Sequence, residues 1–229
     1  ILIQDCIKDN ISEKIIFPKT KNSFIKPIVS LAKNNAAQII KNHLSKKEKY
    51  AFAYEELAKK LGVKKIQRID AFDISHQYMQ QGVGSCVVFE ESGASKKDYR
   101  LFNIPNNIAG NDIASMEHVI SRRLKYYDDQ KPNVILIDGG KAQLNFTNRI
   151  LKNFDMEKIL VLAIAKGKGR VRATETIYTN KGVMEIDPHS ESFKLLNELR
   201  DESHRFAITA SRKKIRKSNK YSALDSVKG

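Results

Sequence analysis

Three side chains that could carry metal or proton chemistry sit on three separate stretches of this sequence. Asp73 lies near the far end of the apolar run RIDAFDISH, residues 68–76. Asp138 closes the apolar part of VILIDGG, and His204 lies within LRDESHRFAI, a helical pattern. RIDAFDISH reads as a strand buried on both faces. An ionised carboxylate in such a strand is costly unless something compensates it, and a cation is the obvious compensation. Taken alone, Asp73 reads equally well as a strand-end aspartate that caps a turn. The two later stretches favour one site assembled by the fold. Hydrolysis of a phosphodiester needs an activated water and relief of charge on the leaving oxygen. Magnesium or manganese held by carboxylates supplies both.

Several neighbours of these residues are candidates as well. Asp112 stands at the start of a helix, where a carboxylate is also favourable simply because it faces the helix N-terminus. On the last helix His204 lies about 40° round from Arg200 and from Ile208 at roughly 100° per residue, which sets it on an inward-leaning face. A lone histidine there is often a packed core residue, but the charges around it in RDESH favour a ligand or proton-transfer role. His76 is a weaker candidate for the same site, and His43 reads as a surface residue. Gly139-Gly140 allows a sharp turn after Asp138, so a backbone or phosphate can come close. GGKAQ is not a Walker A loop, because no serine or threonine follows Lys141. Ligands at zinc spacing are missing. Lys141, Lys166, Lys168, Arg170, Arg172, Arg200 and Arg205 flank the proposed site and could track a phosphate backbone.

The totals agree with that chemistry. The net charge of the 229 residues is +15, which favours a polyanionic partner, nucleic acid first. Apolar residues make up 41%, enough for a real core. Two cysteines, Cys6 and Cys86, give no disulfide framework, and a reducing cytoplasm is the expected setting. No apolar run approaches the roughly 20 residues needed to span a bilayer. The chain starts at Ile1, and we expect a piece of something longer.

The elements that must position these groups follow in order. Residues 1–19 offer two short apolar runs that could pair as a hairpin. A long helix is expected over 28–61, with Gly62 as its stop. Its ragged leucine and isoleucine face suggests an arm or brace. We therefore expect residues 1–65 to form a hairpin and long helix, and 66–229 to form the main domain with a basic tail. In that domain RIDAFDISH, GSCVVFEES and DYRLFNI are three strands with short connections, hence an antiparallel meander. A helix capped by Asn111 or Gly110 precedes a fourth strand, NVILIDGG. A second helix over 141–154 and a fifth strand, ILVLAIAK, come next. The basic loop KGKGRVRA then leads into a hairpin of ETIYT and VMEID. Ser190 opens the last helix, and residues 212–220 form a basic tail. This order is an α/β arrangement that matches the ribonuclease H-like mixed sheet: an antiparallel meander, then parallel strands, with flanking helices.

FDISH, SCVVFEESG, KDYRLFNI, GNDIASM, ILIDGGKAQL, LAIAKG, TETIY and RDESHRFAI occur in that order between residue 68 and residue 224. Together they closely resemble the UvrC family of bacterial nucleotide-excision-repair endonucleases. The resemblance implies a ribonuclease H-like nuclease that incises double-stranded damaged DNA 5′ to the lesion, with magnesium or manganese. It implies that Asp73, Asp138 and His204 are the catalytic set and metal ligands, and that Asp112 is a further acid needed for incision. It also implies, outside this chain, a GIY-YIG nuclease and a UvrB-binding segment upstream, and tandem helix-hairpin-helix motifs downstream. The sequence departs from the family pattern in QYMQQ before Gly82, in GGKAQL for GGKGQL, and in having only Pro188 before the last helix. These affect loop shape rather than the ligand set. The competing reading is an inert ribonuclease H-like module that binds nucleic acid or a protein. Three buried ionisable groups kept together favour the enzyme. A nucleotide-dependent enzyme is disfavoured by the missing P-loop.

Overall fold

The computed structural model describes residues 25–75, 82–108, 110–127, 130–165 and 175–225. The division into two compact units falls between Lys46 and Lys47, inside the first helix, α1, Ile25–Leu61. In the first unit the described side chains of α1 are almost all exposed.

The second unit is built on one sheet. Its strands are β1 Arg68–Ser75, β2 Val83–Glu90, β3 Gly93–Ala94, β4 Arg100–Asn103, β5 Val134–Asp138, β6 Leu160–Ala165, β7 Thr176–Thr179 and β8 Gly182–Met184. The order is β3-β2-β1-β5-β6-β7-β8, with β4 beside β2. β1, β2 and β4 form the expected antiparallel meander, with Ser85 opposite Asp73 and Leu101 opposite Ser85. β5 and β6 then run parallel to β1, and β7 and β8 return antiparallel. This is the ribonuclease H-like α/β fold expected from the sequence. β3 and the short 3-10 turn Lys96–Asp98 between β2 and β4 were not anticipated.

Both faces of the sheet are covered, which is why β1 and β5 read as unbroken apolar runs. Ile69, Ala71, Val134 and Leu136 face one side. There they meet Leu195, Leu196 and Leu199 of the last helix and the final turns of α1. Phe72, Ile135 and Ile137 face the other side and meet α2, Asp112–Leu124, and α3, Lys141–Asn153. Asn111 caps α2, its side-chain oxygen accepting from the Ala114 N–H at 3.1 Å. The last helix, α4, spans Glu191–Asp225, and the Ser190 hydroxyl accepts from the Phe193 N–H at 3.2 Å at its start.

Two expectations need correction. The C-terminal half of α1 is not a brace but part of the core: Tyr50, Ala53, Tyr54, Leu57 and Ala58 are buried at helical spacing. Apart from Leu57 the stripe is made by tyrosines and alanines, so the leucine and isoleucine pattern did not reveal it. The basic segment 212–220 is not a separate tail but a continuation of α4. Lysine and arginine are good helix formers, and no glycine or proline interrupts the run before Gly229. Among the described residues no helix is long and apolar enough to cross a membrane.

Candidate active site

Side-chain alternation decides which face each acid occupies. Ile69 and Ala71 face the α4 side, so Asp73, two residues on, does too. Val134 and Leu136 place Asp138 on the same side by the same count. The parallel pairing sets Phe72 beside Ile137, and the next step in that register puts Asp73 beside Asp138. Adjacent strands lie about 4.8 Å apart, so the two carboxylates sprout from neighbouring backbone positions. Asp73 is buried and Asp138 half-buried, both at the carboxyl ends of parallel strands, where α/β sheets gather their reactive groups.

His204 reaches the pair from α4. Its Nδ1 lies 3.5 Å from Asp73 Oδ2, beyond the length of a good hydrogen bond. That nitrogen has no hydrogen-bond partner, and the side chain is 38% exposed, which sets it apart from a packed core histidine. The helix is held in register from the strand next to β1. The Ser85 hydroxyl, across the ladder from Asp73, donates to the Ser203 carbonyl at 2.9 Å. The Ser203 hydroxyl in turn donates to the Arg200 carbonyl at 2.8 Å.

Asp112 is exposed at the first turn of α2 and lines, with Asp138, a cavity on the opposite side of the sheet. Asp138 therefore borders both the Asp73–His204 pair and the cavity that holds Asp112. Gly139 and Gly140 make the turn that follows. A Cβ on Gly139 would stand 2.9 Å from Gln143 Cγ, too close to keep. The Gly140 N–H donates to Gln143 Oε1 at 3.0 Å, which fixes the start of α3 directly after Asp138. Lys141 is exposed at that helix N-terminus.

Arg200 and Arg205 differ from one another in surroundings. Arg200 is buried, with its guanidinium held by Glu175 and, at 2.8 and 3.2 Å, by Asp201. Burial works against this cation, but hydrogen bonds to Glu175 and Asp201 outweigh it and hold the group above the ordinary arginine value. Arg205 is exposed and donates to Glu202 at 2.6 and 2.8 Å. These bonds hold Glu202 below its ordinary value. His76, Lys166, Lys168, Arg170 and Arg172 lie outside the described residues.

Sequence reasoning passed over Glu175 and a buried network centred on Asp70. Asp70 Oδ1 accepts from Arg68, and Oδ2 accepts from Arg123, from the Tyr127 hydroxyl at 2.6 Å and from the Cys86 thiol at 3.6 Å. Burial first, then the Asp70 charge, push the Tyr127 hydroxyl and the Cys86 thiol well above their ordinary values, so both remain donors. The network ties β1 to β2, α2 and the loop after it. Its one sequence signal is a charged pair, Arg68 and Asp70, within an apolar strand.

Among the described residues no three His, Cys, Asp or Glu side chains close into a ready cage for a metal ion. The donor set nevertheless suits a hard divalent cation. Magnesium is usually held by one or two carboxylates and takes its other ligands from water and substrate phosphate. His204 Nδ1, buried and 3.5 Å from Asp73 Oδ2, adds a nitrogen donor on the same side.

Comparison with known proteins shows the family. Residues 58–208 match the family described as "UvrC RNAse H endonuclease domain". A relative called UvrABC system protein C, from Saccharophagus degradans, is 35% identical over 206 residues, covering 88% of this chain and 34% of that protein. The protein of the same name from Coxiella burnetii is 35% identical over 233 residues, covering 99% of this chain and 38% of that protein. The chain thus spans little more than a third of the length of the curated relatives it matches. Among solved structures, the catalytic domain of human Endonuclease V aligns with a TM-score of 0.43 at 11% identity, covering 66% of this chain and 84% of that one.

Proposed function

The chain belongs to the family of UvrC RNase H endonuclease domains, and from that premise we propose that it hydrolyses phosphodiester bonds in damaged double-stranded DNA, making the 5′ incision of bacterial nucleotide excision repair. The observation that carries the reading is the pairing of Asp73 and Asp138 on adjacent strand ends, with His204 3.5 Å from Asp73.

Asp73 and Asp138 would hold magnesium or manganese, with His204 as a further ligand or as the group that moves a proton. When bound, such an ion supplies an activated water and neutralises charge on the leaving oxygen. In the second role His204 would hand a proton to that oxygen. Asp112 contributes a further acid from the other side of Asp138. Lys141, at the N-terminus of α3, offers a cation together with the free N–H groups of the first helical turn, a natural seat for a phosphate next to the scissile one. Arg205, exposed on α4, would extend the track for the backbone. Arg200, held by two acids, supports the helix from within. Recruitment to the lesion would come through UvrB, by regions outside this chain.

The test is Asp73→Asn in the complete excision system. The substitution keeps shape and removes charge, so 5′ incision should be lost while folding and DNA binding persist. Wild-type 5′ incision by this variant would overturn the assignment.

A further inference from the structure

On the side of the sheet away from α4, a cavity of about 620 Å³ opens between α2 and α3. Its wall includes Asp112, Ile113, Asp138, Phe146 and Arg149. We propose that this cavity receives an unstacked nucleobase from the DNA strand held at Asp138. The proposal rests on the nuclease reading above and adds a base-binding subsite beside the scissile phosphate.

Position is the first argument. Asp138 borders the cavity and also neighbours Asp73 in register, so a phosphate engaged at the acids brings its own nucleotide to the cavity mouth. Size is the second, because pockets of about 300–1,000 Å³ suit small organic groups, and a base with its sugar falls well within that range. Charge decides which part of the nucleotide enters. Asp112 on the wall disfavours a bare phosphate, whereas an uncharged base meets no such barrier. The apolar surface gives the base something to lie against. Phe146 offers a half-buried ring and Ile113 is 59% exposed, an apolar side chain that gains by being covered. Arg149 is exposed on the same wall and supplies a plane and a cation for the base or its flanking phosphate. Stacking of this kind tolerates any base, which suits an enzyme that must cut irrespective of sequence.

The chain has no tryptophan, so a single introduced indole reports on the cavity alone. Phe146→Trp places it on α3. Ile113→Trp places it on α2 at an exposed position, where folding is preserved even if the first variant misfolds. Each is titrated, with calcium replacing magnesium, with a single-stranded oligonucleotide of about 12 nucleotides, within the span of single-strand sites, and with an abasic strand of equal length and charge. Anisotropy of a dye on each strand measures binding independently. The expected result is strong quenching by the base-bearing strand and little by the abasic strand, although both bind. Phe146→Ala should also remove most of a roughly tenfold preference for the base-bearing strand. Equal quenching by both strands at saturation overturns the subsite and leaves the nuclease reading intact. Quenching that appears only when a protein partner is added assigns the cavity to that protein and overturns the proposal. Binding of neither strand overturns the subsite, and the nuclease reading is judged separately by Asp73→Asn in the complete excision system.

Discussion

Arg200→Met would break the ion pair between Glu175 at the start of β7 and α4, the helix that carries His204. The two side chains are 7% and 9% exposed, so the pair is buried. Removing one partner of a buried pair typically costs about 3–5 kcal/mol, because the other charge stays behind without compensation. Asp201, 56% exposed, is resolvated when it loses Arg200 and adds little to the loss. The cost therefore falls on Glu175, whose Oε2 already lacks a hydrogen-bond partner. For a chain of this size each kcal/mol moves the melting temperature by about 2–4 °C, so Arg200→Met should melt about 6–20 °C lower. Glu175→Leu with Arg200→Met should recover most of that, since no charge remains buried. Thermal and urea unfolding of the two single variants and the double variant give the cycle. Incision measured well below the lowest melting point then reports whether His204, one turn beyond Arg200, has shifted. A single-variant cost below about 1 kcal/mol, or a double variant as unstable as the sum of its parts, would refute the argument.

His204→Ala should lower incision by about 10²–10⁴-fold, the usual contribution of a proton-transferring group, while costing under about 1 kcal/mol in stability because the side chain is 38% exposed. A large fall in melting temperature with normal residual incision would return His204 to a packing role. Gly84→Ala places a Cβ 2.4 Å from Val119 Cγ2 and should cost about 1–3 kcal/mol, with Val119→Ala restoring part of it in urea unfolding. Glu202 is held below its ordinary value of 4.5, chiefly by its hydrogen bonds from Arg205. Its contribution is present above pH 4.5 and is lost as pH falls through the lower folded-state value. Glu202→Gln should therefore melt below wild type at neutral pH, and the gap should close in acid.

The paired acids were legible because each ends an apolar run of strand length. Asp73 alone reads equally well as a turn cap, and the second strand-end acid tips the balance. His204 was legible because helical periodicity set it beside Arg200 and Ile208. The meander was legible from the short connections between its strands. Other features depended on distant partners. Arg200 looks like a phosphate ligand from its neighbours in RDESH, and only the fold brings Glu175 against it. Asp70 lies in the same strand as Asp73 but faces α2, where Arg123 and Tyr127 meet it from far along the chain. Alternation along β1 separates the two aspartates into a structural one and a candidate catalytic one, yet the sequence does not say which face carries which partners. The core stripe of α1 escaped notice because, apart from Leu57, tyrosine and alanine made it.

The strand that carries Asp73 has a local partner, β2, and a distant one, β5. The hairpin with β2 can form early from neighbouring residues, but the pairing with β5 must wait for a long intervening loop to close. His204 arrives later still, on the last helix of the chain. A growing chain on the ribosome, or one cut short before α4, therefore displays Asp73 without the rest of its site. Assembly of the candidate site thus coincides with the docking of α4, the last element of the domain.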